Sequence, residues 1–373
     1  MSARLRVGVL GAGTVGREVV RALLERPDDL RGPDGAALAL TAIAVRDVDR
    51  ATAAGLPAEL LSDAPAHLVA DDEIDVIVEL MGGEEPAHTL IAAALAMGKS
   101  VVTANKHVIA HHGPELETIA RRTGATLRYE AAVGAGIPVL GALAVDLATN
   151  RVARVRGIVN GTTNFILSSM TDDSEPLDFA AALAEAQRLG YAEADPSGDV
   201  EGLDAVNKLV ILARLAFDRW LDPSAIATRP DGADGPAGPG IATVSRADQA
   251  EARTSGRVIR LIASASTDPD GTLRTAVLPT AVPLDSALGR TSGVRNRIEI
   301  DAIPAGRIGF DGPGAGGAAT SSAVLADLLA VARQAGSTWG SRREAAPHAA
   351  GTVSRPVGAV LETTSGIRYP LDD

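Results

Sequence analysis

Residues 1–130 alternate short apolar runs with stretches in which apolar side chains recur every three or four positions. The short runs predict buried strands, and the longer period predicts helices. The predicted strands are 5–10, 38–45, 74–80, 100–103 and 126–129, and the predicted helices are 14–25, 86–97 and 115–122. Strands that alternate with helices form a parallel sheet with helices on both faces. The pattern therefore predicts an α/β domain with a doubly wound parallel sheet.

The pattern changes from residue 136 onward. Helices are predicted at 177–189 and 200–217, an irregular loop at 228–240, alternating strands at 258–266, 273–282, 294–300 and 305–310, and a last helix at 318–334. Alternation of apolar and polar residues is typical of antiparallel strands. The sequence therefore predicts a first domain over 1–135, completed by a helix at 318–335, an α+β domain over 136–317, and a tail over 336–373 without clear periodicity.

A glycine-rich motif follows the first predicted strand. It reads Gly11-Ala-Gly13-Thr14-Val15-Gly16 and opens the first predicted helix. Such glycines allow a tight turn, close approach of a pyrophosphate to the backbone, and close packing of the helix, whose N-terminus faces the anion. In this context the motif predicts a Rossmann-type domain that binds a dinucleotide, rather than a merely structural turn.

Two further positions at the carboxyl ends of predicted strands are candidates for cofactor binding. Arg46 follows the second strand, where an arginine meets the 2′-phosphate of NADP, although the neighbouring Asp47 leaves NAD open. Thr103 and Lys106 belong to T-A-N-K after the fourth strand, at the sheet edge where ligands bind. A surface lysine at a helix start is the alternative for Lys106.

The densest polar group of the sequence lies between residues 190 and 208. It contains Glu193, Asp199, Asp204 and Lys208. Asp204 and Lys208 are four positions apart on a predicted helix, so their side chains share a face. Such a pair is commonly a solvated ion pair, but the apolar residues that follow can partly desolvate the lysine, which suits general acid-base chemistry.

A second glycine-rich segment, which includes Gly314 and Gly316, precedes the last predicted helix. It either closes over the nicotinamide or phosphate side of a cofactor or is only a flexible loop. The six histidines show no spacing that predicts a metal site, so surface or capping roles are expected for them. There is no signature of a serine nucleophile or of an NTP-binding loop.

Composition excludes several classes of function. The net charge of -12 and an aromatic content of 2% argue against nucleic-acid binding. The 373 residues contain no cysteine, which excludes a thiolate nucleophile and disulfides. No uncharged stretch is long enough for a membrane span. We expect a cytoplasmic protein with neither nucleic acid nor membrane as a partner.

Six motifs, in this order, carry a family resemblance that spans about residues 5–335. They are G-A-G-T-V-G (11–16), T-A-N-K (103–106), E-A-A-V-G-A-G-I-P (130–138), N-G-T-T-N-F-I (160–166), G-Y-A-E-A-D-P with its acidic run (190–208) and G-P-G-A-G (312–316). With them the sequence resembles homoserine dehydrogenases. The resemblance implies reversible reduction of L-aspartate 4-semialdehyde to L-homoserine by NADPH or NADH, on the way to threonine and methionine.

The resemblance also implies roles for individual residues. Lys208 matches the proton donor to the developing alkoxide, with Lys106 beside it near the nicotinamide. Asp204 would orient Lys208, Glu193 would bind the substrate ammonium, and Asp199 is a weaker member of this set. A monovalent cation, Na⁺, would be held mainly by backbone carbonyls, and the matching positions are Glu130, Val133, Ala135 and Ile137.

The resemblance further implies a homodimer formed through the α+β domain, which would then serve substrate binding and dimerisation. Many relatives carry a C-terminal ACT regulatory domain, and the segment after residue 335 is too short for one. Two alternatives remain for the chain. One is a dinucleotide sensor without turnover, which the intact Lys106, Asp204 and Lys208 disfavour, and the other is a different amino-acid or sugar dehydrogenase with two domains.

Overall fold

The structure, a computed structural model, describes residues 4–31, 37–171, 175–231, 239–345, 352–353 and 359–372. The chain forms two compact units, and each has its own sheet. The first unit comprises Met1–Asp146 and Ala315–Ala346, and the second comprises Leu147–Gly314 and Pro347–Asp373.

Short strands alternate with helices in the first unit, and longer strands follow in the second. The strands are β1 (Arg4–Leu10), β2 (Ala37–Ala44), β3 (Leu61–Ser62), β4 (Val76–Glu79), β5 (Ser100–Thr103), β6 (Leu127–Arg128), β7 (Arg151–Ile158), β8 (Arg257–Thr267), β9 (Leu273–Pro283), β10 (Arg295–Ile303), β11 (Gly306–Pro313), β12 (Thr352–Val353), β13 (Val360–Glu362) and β14 (Arg368–Pro370). The helices are α1 (Thr14–Glu25), α2 (Val48–Ala53), α3 (Pro65–Ala70), α4 (Ala87–Ala96), α5 (Lys106–Thr123), α6 (Val139–Gly141), α7 (Gly161–Ser169), α8 (Phe179–Arg188), α9 (Ser197–Val200), α10 (Leu203–Phe217), α11 (Arg246–Thr254), α12 (Ala287–Arg290) and α13 (Gly317–Ala332). Within the described part of the chain, none of these helices is both long and apolar enough to cross a membrane.

The first unit contains a parallel sheet in the order β3-β2-β1-β4-β5-β6, which confirms the predicted doubly wound parallel sheet. The short strand β3 and the helices α2 and α3 were not predicted. The inner strands of this sheet read as continuous apolar runs because helices bury both of their faces. Val7 and Val9 of β1 are fully buried, together with Val324 and Leu328 of α13. The last helix therefore completes the hydrophobic core of the first unit.

Helix α5 begins at Lys106, well before the predicted start at residue 115. The sequence pattern placed the start after Pro114, because proline removes a backbone hydrogen bond from a helix interior. In the structure Pro114 lies inside the helix, and the Asn105 side chain caps its first turn by accepting from the Val108 backbone N–H at 3.2 Å. The earlier start places Lys106 in that first turn.

The second unit contains a sheet in the order β11-β10-β7-β8-β9-β12, antiparallel except for the β9–β12 pair. The sequence pattern missed its strand β7, whose arginines read as surface positions. Arg156 is nevertheless buried, and its guanidinium pairs with Glu299 of β10 at 3.1 Å. Beside the sheet lies α10, almost entirely buried from Ala205 to Ala216.

Part of the C-terminal region packs closely although its sequence shows no clear periodicity. Trp339 is buried, with its ring centroid 6.5 Å from that of Tyr129. Thr338 hydrogen-bonds the backbone of β6 and Tyr129 through its own N–H and hydroxyl. Residues 360–362 and 368–370 pair as the hairpin β13–β14 in the second unit. These contacts depend on partners distant in sequence, so a local pattern does not reveal them.

Candidate active site

The glycine motif forms the turn between β1 and α1. Gly11 has φ +98°, and a Cβ there would lie 2.7 Å from the Leu80 carbonyl oxygen. A Cβ on Gly16 would lie 2.1 Å from the Gly11 carbonyl oxygen, whereas one on Gly13 would contact nothing within 4 Å. The first and third glycines are thus required by packing, and the second leaves open space.

The start of α1 can bind the phosphates of a dinucleotide. Gly13 is the N-cap and provides no side-chain hydrogen bond, so the N–H groups of Thr14 and Val15 in the first turn have no intrahelical partner. Gly13 and Thr14 are exposed. Open space over Gly13 together with these N–H groups fits a pyrophosphate.

Arg46 and Asp47, which left the choice of cofactor open, take different roles in the structure. Asp47 is the N-cap of α2, and its carboxylate accepts from the Arg50 backbone N–H at 2.8 Å. Arg46 is exposed at the end of β2, and no acidic side chain among the described residues pairs with it. The charged group that a ligand would meet at this strand end is therefore the Arg46 guanidinium.

A buried carboxylate that the sequence analysis did not single out organises the next two strand ends. Glu79, fully buried at the end of β4, accepts from the Thr103 hydroxyl at 2.6 Å and from the Met81 N–H at 2.8 Å. Burial raises its pKa. Asn105 in turn donates from Nδ2 to the Gly83 carbonyl at 2.8 Å. These contacts fix the two loops that precede Lys106, which is half-buried.

The second glycine-rich segment is divided between the two units. In the first unit Gly316 is the N-cap of α13, and a Cβ on Gly317 would lie 2.9 Å from the Thr14 carbonyl oxygen. The start of α13 thus packs against the start of α1. In the second unit a Cβ on Gly314 would lie 2.2 Å from Asn296 Oδ1, so Gly314 is required by packing.

The candidate cation site lies in the turn after β6. Ala135 has φ 55°, a left-handed conformation that is uncommon for a residue other than glycine, and Gly134 before it has φ 73°. Two successive left-handed residues interrupt regular secondary structure, and within the turn the Glu130 and Ile137 carbonyls accept the N–H groups of Val133 at 3.3 Å and Val139 at 2.9 Å. A carbonyl oxygen has a second lone pair, so a cation site at Glu130, Val133, Ala135 and Ile137 stays a prediction that this backbone allows.

The Glu130 side chain supports this turn from within. Its two carboxylate oxygens accept the backbone N–H groups of Leu140 at 2.9 Å and Gly141 at 2.7 Å. Its own N–H donates to Asp327 at 2.8 Å. Burial, followed by the nearby Asp327 charge, raises the pKa of Glu130 to about 7. The Glu130 carboxylate therefore binds the backbone of α6, and its peptide carbonyl accepts the Val133 N–H at 3.3 Å.

The candidate catalytic residues of the second unit meet at the start of α10. Lys208 Nζ donates to Asp204 Oδ2 at 2.7 Å and to the Val159 carbonyl at 2.6 Å. Only 9% of the Lys208 side chain and 11% of the Asp204 side chain are exposed. The helix spacing predicted this ion pair, and the structure confirms the contact. An ammonium group has three hydrogens, and two have acceptors here, which leaves one for a substrate oxygen.

Asn160 joins two acidic side chains to this pair. Its Nδ2 donates to Asp204 at 2.8 Å and to Asp199 at 2.7 Å, while its Oδ1 accepts the Thr163 N–H at 2.8 Å as the N-cap of α7. Burial, together with the Asp204 charge, raises the pKa of Asp199. Asn160 opens the N-G-T-T-N motif, which was the available sequence signal, but the sequence analysis gave it no role.

Glu193 is not brought into this group. Glu193 is exposed in the loop after α8, and its backbone carbonyl accepts from Gln187 Nε2 at 3.1 Å. The neighbouring Tyr191 is also exposed, and its carbonyl accepts from the Thr162 hydroxyl at 2.7 Å. A role for Glu193 in binding the substrate therefore stays a prediction.

Comparison with known proteins agrees with both units. The family model for homoserine dehydrogenase matches residues 138–329, and that for the homoserine dehydrogenase NAD-binding domain matches 11–130. The chain is 44% identical to homoserine dehydrogenase of Mycobacterium tuberculosis over 331 residues, which cover 88% of this chain and 72% of that protein. The chain belongs to the homoserine dehydrogenase family. Its match to the Corynebacterium glutamicum homoserine dehydrogenase is 42% identical over 98% of this chain and 79% of that protein.

Solved homoserine dehydrogenases have the same fold. A structure from Thiobacillus denitrificans superposes with a TM-score of 0.81 at 38% identity, covering 89% of this chain and 74% of that one. A hyperthermophilic archaeal homoserine dehydrogenase in complex with NADPH superposes with a TM-score of 0.71 at 28% identity, covering 88% of this chain and 97% of that one. The chain is therefore an oxidoreductase that uses a nicotinamide cofactor. It interconverts L-aspartate 4-semialdehyde and L-homoserine, a step of amino-acid biosynthesis.

Proposed function

We propose that Lys208 is the general acid of the reduction and that Asp204 and Asn160 hold it in place. The observation that carries this is the hydrogen-bonded chain from Lys208 through Asp204 and Asn160 to Asp199. When bound, a reduced nicotinamide would supply a hydride to the aldehyde carbon. Lys208 Nζ gives a proton to the oxygen that becomes the hydroxyl, and Asp204 keeps the ammonium oriented throughout. In the reverse direction the neutral Lys208 amine accepts that proton.

The acidic side chains around Lys208 suit an amino-acid substrate. Asp199 and Asp204 lie on either side of the Asn160 amide, and a substrate ammonium is complementary to such carboxylates. In the second unit Glu193 is the proposed ligand of the substrate ammonium, and in the first unit Lys106 is the proposed neighbour of the nicotinamide. Thr103 and the glycines of both glycine-rich segments would hold the cofactor.

NADP is the proposed cofactor, with NAD as an alternative. Arg46 supports this choice, because Asp47, the acidic residue that could bind a ribose 2′-hydroxyl, already caps α2. The NADPH bound to the archaeal relative is consistent with it. The test is the initial rate of L-homoserine oxidation followed by nicotinamide absorbance, with NADP and NAD in parallel. A higher kcat/KM with NADP is expected, and a higher value with NAD would refute the choice.

Na⁺ at the turn 130–137 is the proposed cation. The left-handed pair Gly134 and Ala135 supports it, because the turn keeps residues 133–137 out of helices and strands, and hard cations prefer oxygen ligands such as peptide carbonyls. Replacing Na⁺ by tetramethylammonium at constant ionic strength should lower the melting temperature and the activity, and Na⁺ should restore both. If neither quantity responds to Na⁺ or K⁺, the turn holds no cation that matters to the enzyme.

A cytoplasmic homodimer completes the proposal. The family resemblance supports association through the second unit. Strand β11 lies at the edge of that unit's sheet, and the backbone groups of an edge strand readily pair with another chain. The amino-acid substrate and the dinucleotide are charged, water-soluble metabolites, which supports a cytoplasmic site of action. Light scattering should give twice the mass of the 38.0 kDa chain, whereas a monomer at working concentration would refute the dimer.

A further inference from the structure

Four of the six histidines lie together on one surface of the first unit, in a part of the sequence far from Lys208. The histidine cluster is defined by side chains from the loop before α4, from α4 and from α5: Glu84, Glu85, His88, His107, His111, His112 and Glu115. The sequence analysis expected surface or capping roles for these histidines. Because α4 and α5 pack side by side, residues 24 positions apart, such as His88 and His112, become neighbours.

His88 contacts one carboxylate through each of its two ring nitrogens. Its Nδ1 lies 3.1 Å from Glu85 Oε1, and its Nε2 lies 3.1 Å from Glu115 Oε2. A neutral imidazole carries one N–H, and ionised carboxylates only accept hydrogen bonds. One of these two contacts is therefore repulsive, unless the ring carries a second proton or a metal ion lies between a ring nitrogen and the carboxylate oxygen next to it.

His112 and Glu84 bring further ligand atoms to the same place. His112 Nε2 lies 2.8 Å from Glu84 Oε1, and the second oxygen of Glu84 lies 3.3 Å from His107 Nε2. One ligand atom each from His88, His112 and Glu115 lie within 4.8 Å of one another. Ligands of a tetrahedral ion with bonds of about 2.0–2.1 Å lie roughly 3.4 Å apart, so the side chains need only small movements to reach that geometry.

The two rings lie next to each other at a partly exposed place. The His88 and His112 rings are stacked with centroids 3.8 Å apart and an angle of 16° between their planes, and a nitrogen of each lies within 4.8 Å of a Glu115 oxygen. Binding of one ion by both rings requires one of them to turn out of the stack. With 18% and 24% of these side chains exposed, an ion can reach both rings from solvent.

We propose that His88, His112 and Glu115 form a binding site for a divalent transition-metal ion of the zinc class, with Glu84 or water as the fourth ligand. Imidazole nitrogen and carboxylate oxygen together favour Zn²⁺ and its neighbours, while Mg²⁺ and Ca²⁺ prefer sites built only from oxygen. The ligands come from α4 and α5, so an ion there joins the two helices. The site is separate from the proposed cation turn at 130–137 and does not depend on the proposed catalytic roles.

The site has a structural consequence close to the nucleotide-binding edge. Glu84 and Glu85 directly follow Gly83, whose carbonyl accepts from Asn105 at the start of α5. An ion that ties this loop and α4 to α5 therefore stabilises the segment that carries Lys106. A ligand that binds only the folded state stabilises it by RT ln(1 + [L]/Kd), so the melting temperature should rise with the free concentration of the ion.

Calorimetric titration of the tag-free, metal-stripped, full-length protein with Zn²⁺ tests the proposal. One ion per chain should bind at this site, and His88→Gln or His112→Gln should weaken its affinity by about 100-fold or more. His67→Gln is the matched control, because His67 is an exposed histidine on α3 outside the cluster, and its affinity should equal that of the unchanged protein. Absence of zinc binding, or binding that survives both cluster substitutions, would overturn the proposal.

Two further measurements keep the test decisive if a histidine variant folds poorly. Glu115→Gln changes a largely exposed side chain, so it should fold normally and still weaken zinc binding. Co²⁺ bound to the unchanged protein should give the intense visible absorption of a four-coordinate nitrogen and oxygen site, and Zn²⁺ should abolish it. A weak octahedral spectrum, or no effect of Glu115→Gln on affinity, would contradict the assigned ligands.

Discussion

Replacing Lys208 by methionine removes the ammonium group and keeps a flexible side chain of similar length. Lys208 donates two hydrogen bonds of 2.6 and 2.7 Å, and its side chain is 9% exposed. Without it, the buried carboxylate of Asp204 keeps the Asn160 amide, which it shares with Asp199, but loses its cation. The substitution therefore removes the proposed proton donor and also the ammonium that pairs with Asp204.

Lys208→Met should lower both the reaction rate and the stability of the fold. A positioned general acid contributes about 10²–10⁴-fold to the rate, which corresponds to roughly 3–5 kcal/mol of barrier. Loss of one partner from a nearly buried ion pair destabilises the fold by about 3 kcal/mol. We therefore expect Lys208→Met to lower kcat about 1,000-fold, with the affinity for NADPH retained because Lys208 does not serve the pyrophosphate. Lys208→Arg should fail similarly, since arginine does not give up its proton near neutral pH.

Steady-state kinetics and NADPH fluorescence titration measure the two quantities separately, at a temperature where circular dichroism shows the variant folded. Lys99→Met is the matched control, because Lys99 is also buried but lies in the first unit and donates to the Asp71 carbonyl. In a double-mutant cycle with Asp204→Asn, the losses in kcat should be far from additive, because both residues serve one proton transfer. A loss in kcat of less than about tenfold, or roughly 1.4 kcal/mol, would refute the role of Lys208.

Three further expectations follow from individual contacts. Arg46→Ala should weaken NADPH binding about tenfold or more and leave NADH binding nearly unchanged, and equal weakening in titrations with both cofactors would contradict the assignment. Because the pKa of Glu130 is raised from 4.5 to about 7, unfolded Glu130 ionises first as the pH rises, and stability falls between these values. Urea unfolding from pH 4 to 8 should show this decrease in the free energy of unfolding. In Glu130→Gln the decrease should be smaller by about 2–3 kcal/mol, and an unchanged pH dependence would argue against the raised pKa. Asn164 donates to the Gly293 and Arg295 carbonyls at 3.0 and 3.2 Å and is 1% exposed. Asn164→Ala should therefore lower the free energy of unfolding by about 2–3 kcal/mol, and a change below about 0.5 kcal/mol would contradict this expectation.

Local sequence determined the elements that rely on near neighbours. The apolar runs and the helical period predicted the parallel sheet of the first unit, because a strand buried on both faces needs no information beyond its own residues. The glycine turn was equally readable, since the requirement for Gly11 and Gly16 arises from backbone atoms of the same turn and of the adjacent β4 end. The Asp204–Lys208 contact followed from four-residue helix spacing alone.

Tertiary structure alone decided which distant segments meet. Asn160 reaches Asp204, 44 positions later, because α7 and α10 both pack against the sheet of the second unit. Strand β7 escaped the sequence pattern because the acidic partners that allow its Arg156 to be buried come from β10 and from Asp372. His88 and His112 likewise become neighbours only through the packing of α4 on α5. Periodicity reports how one segment contacts its surroundings, whereas ion pairs between segments depend on strand order and helix packing, which no single segment encodes.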